Sequence, residues 1–192
     1  MPVDGLEVIA FESPGEFEEW LAKHHDSSPG IWLKLRKKAP GVVALTYAQA
    51  LECALCFGWI DGQKAALDDS FWLQRFTPRK ARSKWSKINR DKVAALTEQG
   101  RMRPQGLAEV ERAQADGRWE AAYDSASSAT VPEDLAEALA ANPAAADFFA
   151  TLDGTNRYAV LYRIHDAKRP ETRAKRIATF VTMLAEGRKL HP

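Results

Sequence analysis

The residues best suited to chemistry in this chain lie between positions 58 and 92. They read Gly58-Trp59-Ile60-Asp61-Gly62-Gln63-Lys64, then Trp72-Leu73-Gln74-Arg75-Phe76-Thr77-Pro78-Arg79, then Ser83-Lys84-Trp85-Ser86-Lys87-Ile88-Asn89-Arg90. From Arg75 to Lys92 eight basic residues stand against one acid, Asp91, so the stretch is strongly cationic although the whole chain is not. Cations set among aromatic rings can hold a phosphate, a carboxylate or a nucleic-acid backbone. A solvated helix face beside a sheet accounts for the same residues.

Strand alternation places Trp59, Asp61 and Gln63 on one face of their strand and Trp72, Gln74 and Phe76 on one face of theirs. Pairing Lys64 near Phe71 would set Asp61 beside Gln74 and Trp59 beside Phe76. Lys64 and Arg75 would then share the opposite face. An aspartate among aromatics needs a partner, because an unpaired buried charge is costly. Further on, Trp85, Ile88, Val93 and Leu96 make the inward stripe of a helix, and Asn89 falls in the same sector. Trp59, Asp61, Arg75, Arg79, Trp85 and Asn89 are therefore the candidate ligand-binding group, expected to converge where the hairpin meets that helix. Arg79 would sit near the helix N-terminus, whose free amides favour anions.

The rest of the chain offers little chemistry. Cys53 and Cys56 have redox-motif spacing, but they lie late in an apolar helix and read as core thiols. His24, His25, His165 and His191 have no partner at metal-ligand spacing, so no metal is expected. There is no P-loop, GxGxxG or GxSxG pattern. Asp68-Asp69 reads as a turn. No catalytic residue and no cofactor are expected.

The elements that must position these residues can be read from caps and periodicity. Residues 6–11 form a short strand. Ser13, Pro14 and Glu16 open a helix reaching about His25. Residues 31–36 alternate as a strand, Pro40-Gly41 turns, and Thr46 with Gln49 caps a buried helix from Tyr47 to Phe57. Strands at 59–66 and 71–76 follow, joined by a loop with Asp68, Asp69 and Ser70. Thr77-Pro78 signals a long helix from about Arg79 to Gln99, and another runs from Pro104 to Asp116. The polar stretch 124–130 reads as a linker. Helices are then expected at 133–141, 143–152, 156–167 (capped by Thr155) and 171–186. These elements divide into an α+β domain over 1–123 and an all-helical module over 131–192.

With 192 residues, 45% hydrophobic and 28% charged, the composition is that of an ordinary globular protein. The net charge of +1 gives the molecule no overall electrostatic preference. No signal peptide opens the sequence and no apolar run approaches the roughly 18 residues of a membrane span. Two cysteines suit a reducing compartment, so a cytoplasmic location is expected.

At 58–62, at Gln74-Arg75-Phe76-Thr77-Pro78-Arg79 and at Ser83-Lys84-Trp85-Ser86-Lys87-Ile88-Asn89 the chain closely resembles the YdeI/OmpD-associated family, often labelled bacteriocin-protection proteins. The resemblance extends over nearly the whole chain. Residues 131–190, with Asn156-Arg157-Tyr158 and Lys168-Arg169-Pro170-Glu171-Thr172-Arg173, resemble that family's C-terminal helical module. The resemblance implies a small, mainly antiparallel sheet packed with helices, similar to the YjbR/CyaY (frataxin-like) group. It implies tolerance to antimicrobial peptides and a link to envelope stress, but no catalytic residue. Frataxin-type iron binding is not carried over, because the first helix offers only Glu16, Glu18 and Glu19 beside Lys23.

The expected function is that of a non-enzymatic binding protein in bacteriocin or envelope-stress tolerance, its partner a small anionic ligand or a protein. One alternative is a nucleic-acid binder using Arg75, Arg79, Arg82, Lys84, Lys87 and Arg90. The basic 75–92 stretch permits this, but the near-neutral total charge argues against general duplex binding. The other is an enzyme acting on a small anion, with Asp61 as acid/base and Arg75 as clamp.

Overall fold

The computed structural model describes residues 5–38, 41 and 44–192, so Pro40 of the expected Pro40-Gly41 turn lies outside the described residues. The fold is α+β, and the chain divides into two compact units, Met1–Ala122 and Tyr123–Pro192.

The first unit is built on a four-stranded sheet. Strand β1 (Glu7–Ile9) pairs parallel with β2 (Ile31–Arg36), and helix α1 (Pro14–His24) supplies the crossover that a parallel pair requires. The β2 strand pairs antiparallel with β4 (Phe71–Pro78), which pairs antiparallel with β3 (Trp59–Ala66), giving the order β1-β2-β4-β3. Helix α2 (Tyr47–Cys56) is the core helix, with Ala50, Leu51, Cys53, Ala54, Leu55 and Cys56 all buried. It starts at a reciprocal Thr46–Gln49 capping box and is followed by Gly58 at φ +75°. Helices α3 (Lys87–Glu98) and α4 (Pro104–Ala115) complete the unit. At Gly106 of α4 a Cβ would lie 2.3 Å from the Cys56 carbonyl oxygen, so only glycine permits this approach to α2.

Two sequence expectations are corrected here. The hairpin register is displaced: Asp61 pairs with Phe76, Trp59 with Pro78, and Lys64 with Gln74. The displacement is set at the turn, where Ala66 already pairs with Trp72, and the alignment then shifts by one residue at a β-bulge between Asp61 and Lys64. The buried Gln74 amide fills it, donating to the carbonyls of Gly62 at 2.8 Å and Gln63 at 3.2 Å. Lys64 consequently shares a row with Gln74 rather than a face with Arg75. The second correction concerns residues 79–86, which are not helical. Pairing of Thr77 and Pro78 with β3 extends the strand, and the Arg79 amide donates to the Gly58 carbonyl. Ser86, accepting from the Asn89 amide, is the N-cap that starts α3. Arg79 is therefore not at a helix N-terminus, and Asn89 stands in the first turn rather than three turns in. Val93, Leu96 and Asn89 are buried as expected, but Ile88 is 48% exposed.

The second unit comprises α5 (Glu133–Ala140), α6 (Pro143–Thr151), α7 (Gly154–His165) and α8 (Pro170–Ala185) around Leu135, Phe149, Val160, Ile164, Ile177, Phe180 and Leu184. Asp153, not Thr155, caps α7, its carboxylate accepting the Asn156 amide at 2.8 Å. No helix among the described residues is long and apolar enough to cross a membrane.

Candidate functional site

The six candidate residues are distributed over β3, β4, the 79–86 loop and α3. Trp59 belongs to the core: its ring stands edge-on to Trp20 at 5.7 Å and its indole nitrogen donates to the His25 carbonyl. Asp61 accepts a 2.7 Å hydrogen bond from the Tyr47 hydroxyl on α2. Arg75 is on β4 opposite Trp32, and alternation turns it to the other face of the hairpin from Asp61 and Phe76. Asn89 is buried in the first turn of α3. Arg79 and Trp85 are brought into direct contact, with the guanidinium 3.5 Å from the indole centroid.

That contact is the centre of a larger arginine–tryptophan cluster. Trp85 meets Trp119 edge-on at 4.9 Å, and Arg90 lies 5.2 Å from the Trp119 ring while donating to the Trp119 carbonyl at 2.8 Å. The 79–86 loop is pinned by two arginines. Arg79 donates to the Lys84 carbonyl at 3.1 Å, and Arg118 to the Ser83 carbonyl at 2.8 Å. Asp116 balances Arg118 through its Nε at 2.7 Å. Two buried donors, Trp85 Nε1 and Arg118 Nη2, have no hydrogen-bond partner among the described residues. Arg118 and Trp119 escaped the sequence reading because they follow the stop of α4 at Gly117, about thirty residues past the basic stretch. A tryptophan directly after a helix stop was the available signal.

The second unit contains a cavity of about 150 Å³. Its lining includes Tyr123, Tyr158 and Tyr162, with Asp124, His165 and Arg173. Tyr123 and Tyr162 are nearly perpendicular at 5.2 Å, and Tyr158 and Tyr162 are tilted by 46° at 5.9 Å. The Tyr158 hydroxyl donates to the Asp124 carbonyl at 2.8 Å. Burial pushes its phenol up to about 12, helped by the neighbouring Tyr123, Tyr162 and Asp124. Arg173 is held by both carboxylate oxygens of Asp134 at 2.5 and 2.8 Å, and it donates to the Ile164 carbonyl. The same guanidinium holds the Asp134 carboxyl below the usual carboxylate range. Sequence reading missed this cavity, because Tyr158 and Tyr162 four residues apart read as an ordinary helix stripe.

Cys53 and Cys56 are buried free thiols beside an ion cluster in which Arg101 bridges Glu18 at 3.2 Å and Glu52 at 3.1 Å. Burial pushes Cys53 up to about 12, with the Glu18 carboxylate adding, and Cys56 up to about 11. These thiols lack the cationic exposure of a nucleophile. Among the described residues no group of three His, Cys, Asp or Glu side chains could hold a metal ion.

Comparison with known families divides the chain in the same place as its fold. A family described as Domain of unknown function (DUF8412) matches residues 9–109, more than half of the chain. A family described as Bacteriocin-protection, YdeI or OmpD-Associated matches residues 128–187, a span containing all four helices of the second unit. The YdeI/OmpD-associated likeness thus falls on the second unit, while the motifs at 58–62, 74–79 and 83–89 fall in the other match. No curated protein and no solved structure matches the chain.

Proposed function

The chain belongs to the family of the domain of unknown function DUF8412, and because its second unit also matches the bacteriocin-protection family we propose that it is a non-enzymatic binding protein of bacteriocin or envelope-stress tolerance. Its ligand would sit in the tyrosine-lined cavity of the second unit. One observation carries this reading: apart from Tyr123 and Asp124, every lining residue of that cavity lies within the bacteriocin-protection match. The reading places the protein in the cytoplasm. The YjbR/CyaY likeness of the first unit is implied by the family resemblance alone, and the family that matches there is DUF8412.

The test is to obstruct the cavity from the edge of the helix core, against which Ala129 packs. Ala129 lines the cavity from the segment before α5 and is only partly buried. Cells producing Ala129→Phe should survive bacteriocin exposure no better than cells lacking the protein, while the purified variant keeps its melting temperature. Full protection by a folded Ala129→Phe protein would refute the reading.

A second reading has its own observation. Trp85 Nε1 and Arg118 Nη2 are buried donors that an oxyanion near the 79–86 loop could satisfy. Of the six residues expected to converge, Arg79 and Trp85 belong to this neighbourhood. Added phosphate should raise the melting temperature of the protein and not that of Arg118→Gln. No difference between the two would discard an anion at this cluster.

A further inference from the structure

We infer that the cavity of the second unit takes an organic ammonium group, either the head of a small alkylammonium compound or the side chain of a peptide lysine. The inference rests on the reading of the cavity as a binding site and names the chemistry that it selects. Three tyrosine rings, Tyr123, Tyr158 and Tyr162, line a space of about 150 Å³ and are strongly tilted relative to one another. Aromatic faces attract cations, by up to about 2 kcal/mol where water is excluded. Tilted rings can surround an ammonium head from several sides, whereas a flat aromatic guest prefers parallel walls. The volume is well below the roughly 300 Å³ at which pockets begin to admit whole drug-sized ligands. It suits a head group or one side chain.

Charge at the cavity points the same way. The one arginine in the lining, Arg173, is already engaged by both oxygens of Asp134 and by the Ile164 carbonyl. An incoming anion would have to displace that carboxylate. Leu161, Tyr162 and His165 bring the C-terminal turn of α7 to the cavity, the end of a helix that favours cations. His165 is the group that opposes a cation when it is protonated. The Tyr158 phenol, held by the Asp124 carbonyl and pushed up to about 12, stays neutral at physiological pH and presents a ring rather than a phenolate.

The experiment is a titration of the full chain, followed by calorimetry, with choline and with 3,3-dimethylbutan-1-ol, which has the same shape without the charge. Choline should bind at least tenfold more tightly than the neutral isostere. Tyr162→Phe, which keeps the ring, should retain choline binding, and Tyr162→Leu should lose it at least tenfold. Ala129→Phe should abolish it. A decalysine peptide and N-acetyl-lysine amide separate the sources: tighter binding of the peptide than of choline identifies a peptide lysine, and the reverse identifies a small amine. Equal affinity for choline and its isostere, or no binding of any ammonium compound, would overturn the ammonium assignment. Failure of the binding-site reading looks different, because Ala129→Phe would then leave bacteriocin protection intact whatever the titrations gave.

Discussion

The two units combine aromatic rings with charge in opposite ways. In the first, the rings of Trp85 and Trp119 are covered by the protein's own cations, Arg79 and Arg90, and by each other. In the second, the tyrosine rings also touch one another, Tyr123 and Tyr162 edge to face, but they line a recess, and the nearby arginine is tied to a carboxylate instead of to a ring. Similar residue types therefore make a cluster of self-covered rings in one place and the lining of a recess in the other. Aromatic and basic residues close together in a sequence thus do not mark a binding site unless the fold also leaves a recess beside the rings.

The comparison breaks most visibly under ring removal. Trp85 is 2% exposed, so Trp85→Ala should cost about 3–5 kcal/mol, as large-to-small core changes do. Tyr162→Leu, at a cavity wall, should cost about 1 kcal/mol or less and act on ligand binding instead. Urea denaturation of both variants measures this, and equal losses would erase the distinction between cluster and recess.

Next in size is the stacked cation itself. Arg79→Lys keeps the charge but loses the planar contact with Trp85 and the bond to the Lys84 carbonyl. The expected loss is about 1–2 kcal/mol in the same assay. An unchanged midpoint would mean that the ring contact contributes nothing.

A smaller effect separates the units by pH. Asp134 is depressed chiefly by its hydrogen bonds from Arg173. A depressed carboxyl stabilises the fold above its unfolded value of about 3.9 and loses that contribution as pH falls through its lower folded value. The pair is partly exposed, so the contribution is about 1 kcal/mol at most. Asp134→Asn should therefore lower stability at neutral pH and flatten the acid limb below about pH 4. A variant with an unaltered acid limb would contradict the assignment.

The smallest effect leaves stability untouched. With Cys53 raised to about 12 and Cys56 to about 11 by burial, neither thiol should alkylate appreciably near pH 8 in the folded protein, and both should react promptly in denaturant. Labelling followed by mass spectrometry decides it, and rapid labelling of the native protein would sink the core-thiol assignment.

What could be read from sequence was whatever is decided locally. The Ser13 cap, the Thr46–Gln49 capping box, the Asp68 turn that accepts the Ser70 and Phe71 amides, and the buried α2 thiols all follow from neighbours a few residues apart. The hairpin register did not, because alternation fixes only which residues share a face, while the turn at 67–70 and the one-residue bulge decide which residues pair. Thr77-Pro78 misled because proline suits both a strand end and the first turn of a helix. Three-dimensional assembly alone brings Tyr123 to Tyr158 and Tyr162, and Arg118 to Ser83.

The Gln74 amide in the β-bulge has a consequence for how the hairpin forms. In the native alignment its two protons reach the carbonyls of Gly62 and Gln63 while the side chain is almost sealed from water. Slide β3 by one residue and that amide loses its two acceptors on β3 as water leaves and keeps only the longer bond to the Arg75 carbonyl, a penalty of about 1–3 kcal/mol. A slipped hairpin is therefore recognised and rejected by its own buried glutamine during folding, so Gln74→Leu should fold into a mixture of alignments rather than simply a weaker one.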